Sequence, residues 1–286
     1  MKRITRDQIC QSYSADNQAL IKVDLGESFI VETEDRLAGY EGPGSDNLLK
    51  AMTGPIFVEG VKRGDSVKVE FLEVSLPFEH GWIITTGRGP LGDRVPALIK
   101  KKVRLTEWGV LFSDDLTLPL RPMISRIGVA PAEGQKASIA KGEFGGAMGN
   151  PSVGKGAAVY LPVYHDGGLL TIGDGHAAQG DGEVSASAVE CAVDVVLRVT
   201  LETRFKVARP IVTTQTHVMT SGEGQTMEEA VDTAVKAMSG FLIERLGVNE
   251  TESAMLMSSA GDVKFGLAGY PPFTVSMAMP QSVLSI

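Results

Sequence analysis

Val184-Ser185-Ala186-Ser187-Ala188-Val189-Glu190-Cys191-Ala192-Val193-Asp194-Val195-Val196-Leu197-Arg198-Val199-Thr200-Leu201 is the stretch whose period decides the fold class. Val189, Cys191, Val193, Val195, Leu197, Val199 and Leu201 fall two apart and share one face. Val184, Ala186, Ala188, Glu190, Asp194 and Arg198 fall on the other. A period of two is that of a half-buried β-strand. The run is longer than an ordinary strand, so a bend or bulge is expected within it.

Working outward, Ala157–Val163 and Leu169–Gly173 read as strands on either side of a turn at Tyr164-His165-Asp166-Gly167. Nearer the N-terminus, Ala19–Leu25 and Phe29–Thr33 flank Gly26-Glu27-Ser28. Ile56–Gly60 and Val67–Phe71 flank Gly64-Asp65-Ser66 in the same way. Each Gly-acid-Ser step reads as a hairpin turn, and the pair as a weak duplication. From Pro77 to Asn150 the chain reads as irregular. Its densest part, Gly142-Glu143-Phe144-Gly145-Gly146-Ala147-Met148-Gly149-Asn150-Pro151, carries neither glycine pattern of a nucleotide loop. Helices come late. Thr226-Met227-Glu228-Glu229 has capping-box spacing, and Met227, Ala230, Val231, Ala234, Met238, Phe241 and Leu242 recur at helical spacing until Gly247 stops the run. A second, shorter helix starts at Asn249 with Glu252 three residues on. The chain therefore reads as mainly β, as one unit over 1–286 with a possible division into a β-rich part, 1–150, and strands plus helices, 151–286.

The 286 residues carry a net charge of −8, with a pI near 5.1. A surface that tracks phosphates needs clustered cations, so no nucleic-acid partner is expected. The one basic run, Lys100-Lys101-Lys102-Val103-Arg104, reads as the solvated end of a strand. Met1-Lys2-Arg3-Ile4-Thr5-Arg6-Asp7 is followed by no apolar core of a secretory signal, and no apolar run approaches the ~20 residues of a membrane span. Two cysteines, Cys10 and Cys191, make no disulfide framework and suit a cytoplasmic location.

The densest group of reactive side chains is Gly173-Asp174-Gly175-His176-Ala177-Ala178-Gln179-Gly180-Asp181-Gly182-Glu183. Asp174 and His176 share a strand face, and Glu183 is in phase with apolar Val189 and Cys191. Burying a carboxylate is costly unless it is paired, hydrogen-bonded or metal-bound. A turn over Ala177–Gly182 would gather Asp174, His176 and Glu183. One imidazole with carboxylates suits a divalent metal such as zinc. Without metal, His176 oriented by Asp174 could serve as a general base, with Glu183 relaying protons. His217, His80 and His165 read as structural or exposed. No G-x-S-x-G elbow occurs, and Cys191 in mid-strand reads as buried and inert.

Several blocks, in order, resemble the acetamidase/formamidase family. They are Thr53-Gly54-Pro55-Ile56-Phe57-Val58-Glu59-Gly60 with Gly64-Asp65, Ile127-Gly128-Val129-Ala130-Pro131, and Leu161-Pro162-Val163 with the 173–183 cluster and Glu190. The late helix pair with Ala260-Gly261-Asp262 completes the set. The resemblance implies a β-sandwich and barrel-like core with a small α+β element, and homo-oligomerisation as a dimer or larger. It also implies hydrolysis of a formamide- or acetamide-like substrate to acid and ammonia, with zinc or calcium assisting. Carried over by position, Asp174, His176 and Glu183 would be catalytic and metal-holding, and Glu59 and Asp181 would contact the amide. Where many relatives carry His, Asn and Asp, this chain has Phe144, Ala147 and Gly149. A member with those changes could alternatively be a non-catalytic small-molecule-binding or structural protein of the same fold.

Overall fold

The computed structural model describes residues 1–37 and 50–284. Two large sheets dominate. The first has nine strands in the order Lys2–Ile4, Ser28–Glu32, Asp194–Leu201, Ser66–Ser75, Ala158–Pro162, Ile211–Thr213, His217–Gly224, Phe273–Pro280 and Asp262–Leu267. The second runs Leu116–Leu118, Gly109–Ser113, Lys100–Thr106, His80–Ile84, Val189–Glu190, Leu170–Ala178, Met123–Gly128, Gly145–Ala147 and Lys141–Gly142. Met52–Glu59 branches from Leu170–Ala178 and carries Ile9–Cys10 and Ile21–Asp24. One buried cluster takes Phe29, Val31, Val69 and Leu197 from the first sheet and Ile56, Ile124, Ile127 and Ile172 from the second. The sandwich-like core therefore lies between the sheets.

The small α+β element is the far end of the nine-stranded sheet with helices α1 (Met227–Leu246) and α2 (Glu250–Ala260). Ala230, Ala234, Met238, Phe241 and Met257 form a second cluster there with Val218, Met277 and Met279. Both helices begin in complete capping boxes, at Thr226/Glu229 and Asn249/Glu252. Gly247, at φ 69°, ends α1 in the left-handed region. A Cβ at Gly222 would meet the backbone of Ala230 and Ala234, so glycine lets α1 lie directly on its strand.

Three sequence expectations are corrected. The Gly-acid-Ser steps are not hairpins. Ile21–Asp24 belongs to the twelve-stranded sheet and Ser28–Glu32 to the nine-stranded one, and Met52–Glu59 and Ser66–Ser75 divide in the same way. Each step is a crossing between layers, where the alternation on both sides is the same as in a hairpin. The duplication persists in space: Ile21–Asp24 runs parallel to Ile56–Glu59, while the two partner strands flank Asp194–Leu201. Second, the stretch 77–150 carries eight strands, and Lys100–Thr106 is itself one, whose Lys100 and Lys102 lie over the Trp82 ring. Third, the 184–201 run is not one bent strand. Val189–Glu190 pairs with Leu170–Ala178 in one sheet, and Asp194–Leu201 sits in the other. The bend is a change of sheet.

Candidate active site

The site is built on Leu170–Ala178, buried in all but its last residue. Asp174 has φ 61°, a left-handed conformation that aspartate tolerates better than most residues. Its neighbour Gly175 is required: a Cβ there would lie 2.9 Å from the Cys191 carbonyl oxygen and press on the Val193 side chain. Register pairs His176 with Glu190, so the returning strand delivers a second carboxylate beside the imidazole.

His176, Asp174 and Glu190 are all buried, His176 and Glu190 completely. Nε2 of His176 lies 3.0 Å from Glu190 Oε2 and 3.4 Å from Asp174 Oδ1. On the other side of the ring, Nδ1 is 2.9 Å from Gln179 Oε1. The Gln179 amide nitrogen donates to the Gly149 carbonyl at 2.7 Å and to that of Gly266 at 3.4 Å. Those two carbonyls fix the amide so that its oxygen faces the ring. An amide oxygen only accepts, so Nδ1 carries a proton and Nε2 is aimed at the carboxylates.

Two guanidinium groups balance the acids. Arg36 donates to both Glu190 oxygens at 2.7 Å and lies 2.5 Å from Asp174 Oδ1. Arg126, buried in Met123–Gly128, lies 3.2 Å from Asp174 Oδ2. Burial alone would raise both carboxyls, but the cations prevail. Arg126, Arg36 and His176 hold Asp174 well below the usual carboxylate range, and Arg36 and His176 hold Glu190 down at about 2. Burial lowers the His176 imidazole, and Glu190 and Asp174 more than reverse that, raising it well above its ordinary value. At Glu183 the balance falls the other way. Burial, helped by the charges of Glu190 and Asp174, pushes its carboxyl up to about 7 against His176 and Arg36.

A cavity of about 330 Å³ opens onto this cluster, with Asp174, Glu183, Arg36, Arg126 and Ser125 in its wall. Ala147 and Gly149, two of the three positions where the family resemblance breaks, also line it, whereas Phe144 is buried against Tyr13. The Tyr270 ring forms part of the rim between the Arg88 guanidinium, 4.3 Å from its centroid, and Lys141 Nζ at 5.0 Å. Of the five non-glycine residues with positive φ among the described residues, Leu98, Asp174, Glu183 and Ala186 all line this cavity. Such conformations are unfavourable and gather where function holds them.

The structure thus brings Asp174 and His176 together as the motif suggested, but the second carboxylate at the imidazole is Glu190. Glu183 lines the cavity nearby, on a turn with φ 40°. Glu59 and Asp181 do not line the cavity: Glu59 pairs with Lys22 at 3.0 Å, and the exposed Asp181 lies 3.8 Å from Arg121. Arg36, Arg126 and Gln179 were not singled out in the sequence. Arg126 carried a signal, a charge inside the apolar run Met123-Ile124-Ser125-Arg126-Ile127, while nothing local marks Arg36.

The donor atoms of Asp174, His176 and Glu190 lie within 4.8 Å of one another and could hold a metal ion. The residues fit one in a second respect. His176 Nε2 is buried without a well-directed hydrogen bond and faces the carboxylates, as a metal-ligating nitrogen would.

The acetamidase/formamidase family model matches residues 126–285, which contain Arg126 and the whole Asp174–Glu190 cluster. The chain belongs to the acetamidase/formamidase family. A crystal structure of a predicted acetamidase/formamidase from Thermoanaerobacter tengcongensis superposes with a TM-score of 0.92 at 32% identity, covering 99% of this chain and 97% of that one. An acetamidase from Bacillus halodurans gives 0.92 at 31% identity, covering 99% and 100%. A formamidase from Methylophilus methylotrophus is 26% identical over 65% of this chain, and this chain spans 62% of that relative's length. Membership accounts for the mainly β fold with its late helix pair. Among the described residues no helix is long and apolar enough to cross a membrane.

Proposed function

We propose that this chain hydrolyses a carboxylic amide to the acid and ammonia in the cavity over Asp174 and Glu183. The observation that carries the reading is Glu183: a buried carboxyl at about 7, lining the same cavity as Asp174, whose partners His176 and Glu190 are buried behind that wall. At neutral pH such a group is populated in both protonation states. It can accept a proton from an attacking water and return it to the departing nitrogen, the two transfers amide hydrolysis needs. Arg126 fixes positive charge in the cavity wall where the carbonyl oxygen gains negative charge as water adds. Gln179 fixes the orientation of the imidazole by accepting from Nδ1, and Arg36 keeps Glu190 and Asp174 ionised.

Asp174, His176 and Glu190 would hold a divalent cation. When bound, it supplies Lewis-acid polarisation of the carbonyl and a more acidic water. The imidazole in the set suits zinc better than calcium, which takes oxygen ligands. Glu183 lies outside that group of three donors and is left for proton transfer. One observation favours a second reading without metal: Arg36 already spans carboxylate oxygens that a cation would need, and His176 with Glu183 would then carry the proton traffic. The free thiols of Cys10 and Cys191 support a reducing, cytoplasmic setting.

Ammonia release, measured on chelator-stripped protein and again after zinc is restored, tests the proposal. Turnover only with zinc supports the metal-assisted form, and equal turnover in both supports the His/carboxylate form. The absence of ammonia from every amide tried in both states contradicts the proposal.

A further inference from the structure

We infer that the amide taken by this site carries an extended apolar acyl group, as in a medium-chain or aryl carboxamide, rather than one or two carbons. This rests on the amidase reading above.

The first support is size. A cavity of about 330 Å³ lies within the range of roughly 300–1,000 Å³ that drug-sized ligands fill. A water molecule's share of liquid volume is about 30 Å³. Formamide and acetamide, with three and four heavy atoms, would leave most of such a cavity to solvent.

The second is how polarity divides. Of the ionisable groups in the wall, Asp174, Glu183, Arg36 and Arg126 belong to the catalytic cluster, while Lys50 and Arg88 are exposed residues outside it. Much of the remaining wall is Leu37, Ile84, Leu98, Ile139, Leu267 and Tyr270. An amide headgroup at the cluster directs its acyl carbon into that apolar part. The side chains at Ala147 and Gly149 add almost no bulk to the wall.

The third is conformational. Leu98 is held at φ 64°, its N–H donating to the Thr85 carbonyl, and it lines the cavity while still 44% exposed. Ile139, also in the wall, is 49% exposed. A leucine in the left-handed region is unfavourable on its own account. Here the strained backbone presents an apolar side chain to the cavity, where a longer acyl group would cover it and a short amide would not.

The test is kcat/KM for ammonia release from formamide, acetamide, butanamide, hexanamide and benzamide, with the full chain. Burying each further methylene corresponds to about a fourfold rise, so the expected result is a steady increase from acetamide to hexanamide. Ile139→Gln should lower the hexanamide-to-acetamide ratio several-fold. Release that is fastest with formamide or acetamide and declines with length overturns the inference while leaving the amidase reading intact. If no amide is hydrolysed, the amidase reading fails, and binding decides the inference. A larger rise in Tm with hexanamide than with acetamide at equal concentration upholds the acyl preference, and equal rises overturn it.

Discussion

At the residue scale, Glu183 links the chemistry to a measurable cost. The folded chain holds this carboxyl at about 7 against an ordinary 4.5. Between those values the folded state keeps a proton that the unfolded chain has released. Its contribution to stability is complete below about 4.5 and is lost as pH rises through 7. In chelator-treated protein, Glu183→Gln, which keeps a neutral group there, should therefore be more stable than the parent at pH 8, by roughly 1–3 kcal/mol. The two should be alike at pH 4.5, and equal stability at both pH values in denaturant titrations would contradict the assignment. The pH profile of kcat/KM should carry a limb near 7 that the variant lacks. Arg126 is the opposite case. Arg126→Met removes a cation from beside the buried Asp174 and should destabilise by about 3–5 kcal/mol, read as a lowered urea midpoint. At this scale the sequence was partly legible. Asp174, His176 and Gln179 lie in one short motif. Arg36 meets Glu190 across 154 positions, a pairing that no local pattern encodes.

At the element scale, legibility followed locality. The helix pair could be read because its capping residues and hydrophobic faces lie within the same few turns. The two Gly-acid-Ser crossings and the sheet change after Glu190 could not, because a period of two is the same whether the next strand joins this sheet or the facing one. That ambiguity concealed Glu190. Counted along an unbroken strand it falls on the polar face, whereas the chain turns at Glu183 and Ala186, both at positive φ, before pairing resumes. The contact between α1 and its strand gives a prediction of its own. Gly222→Ala forces a methyl against the Ala230 and Ala234 backbone and should cost about 1–3 kcal/mol, a drop in Tm that Gly240→Ala, in open space on α1, should not show.

At the scale of the whole molecule, one sheet carries the site and the other supports it from behind. The proposed catalytic cluster sits largely on Leu170–Ala178 and its two neighbours, while the nine-stranded sheet closes the core and bears the helices. A cation held by Asp174, His176 and Glu190 binds only the folded arrangement, so zinc should raise Tm as its concentration passes the dissociation constant. Asp174→Asn should abolish that rise. An unchanged Tm across zinc concentrations would favour the metal-free form.

The most direct test of the account is ammonia release from butanamide at pH 7 by the parent chain and by Glu183→Gln, both shown to be folded by circular dichroism. The account predicts turnover by the parent and a loss of about 10²–10⁴-fold in the variant, the range expected for removing a positioned acid–base group. Equal rates in the two proteins would contradict it.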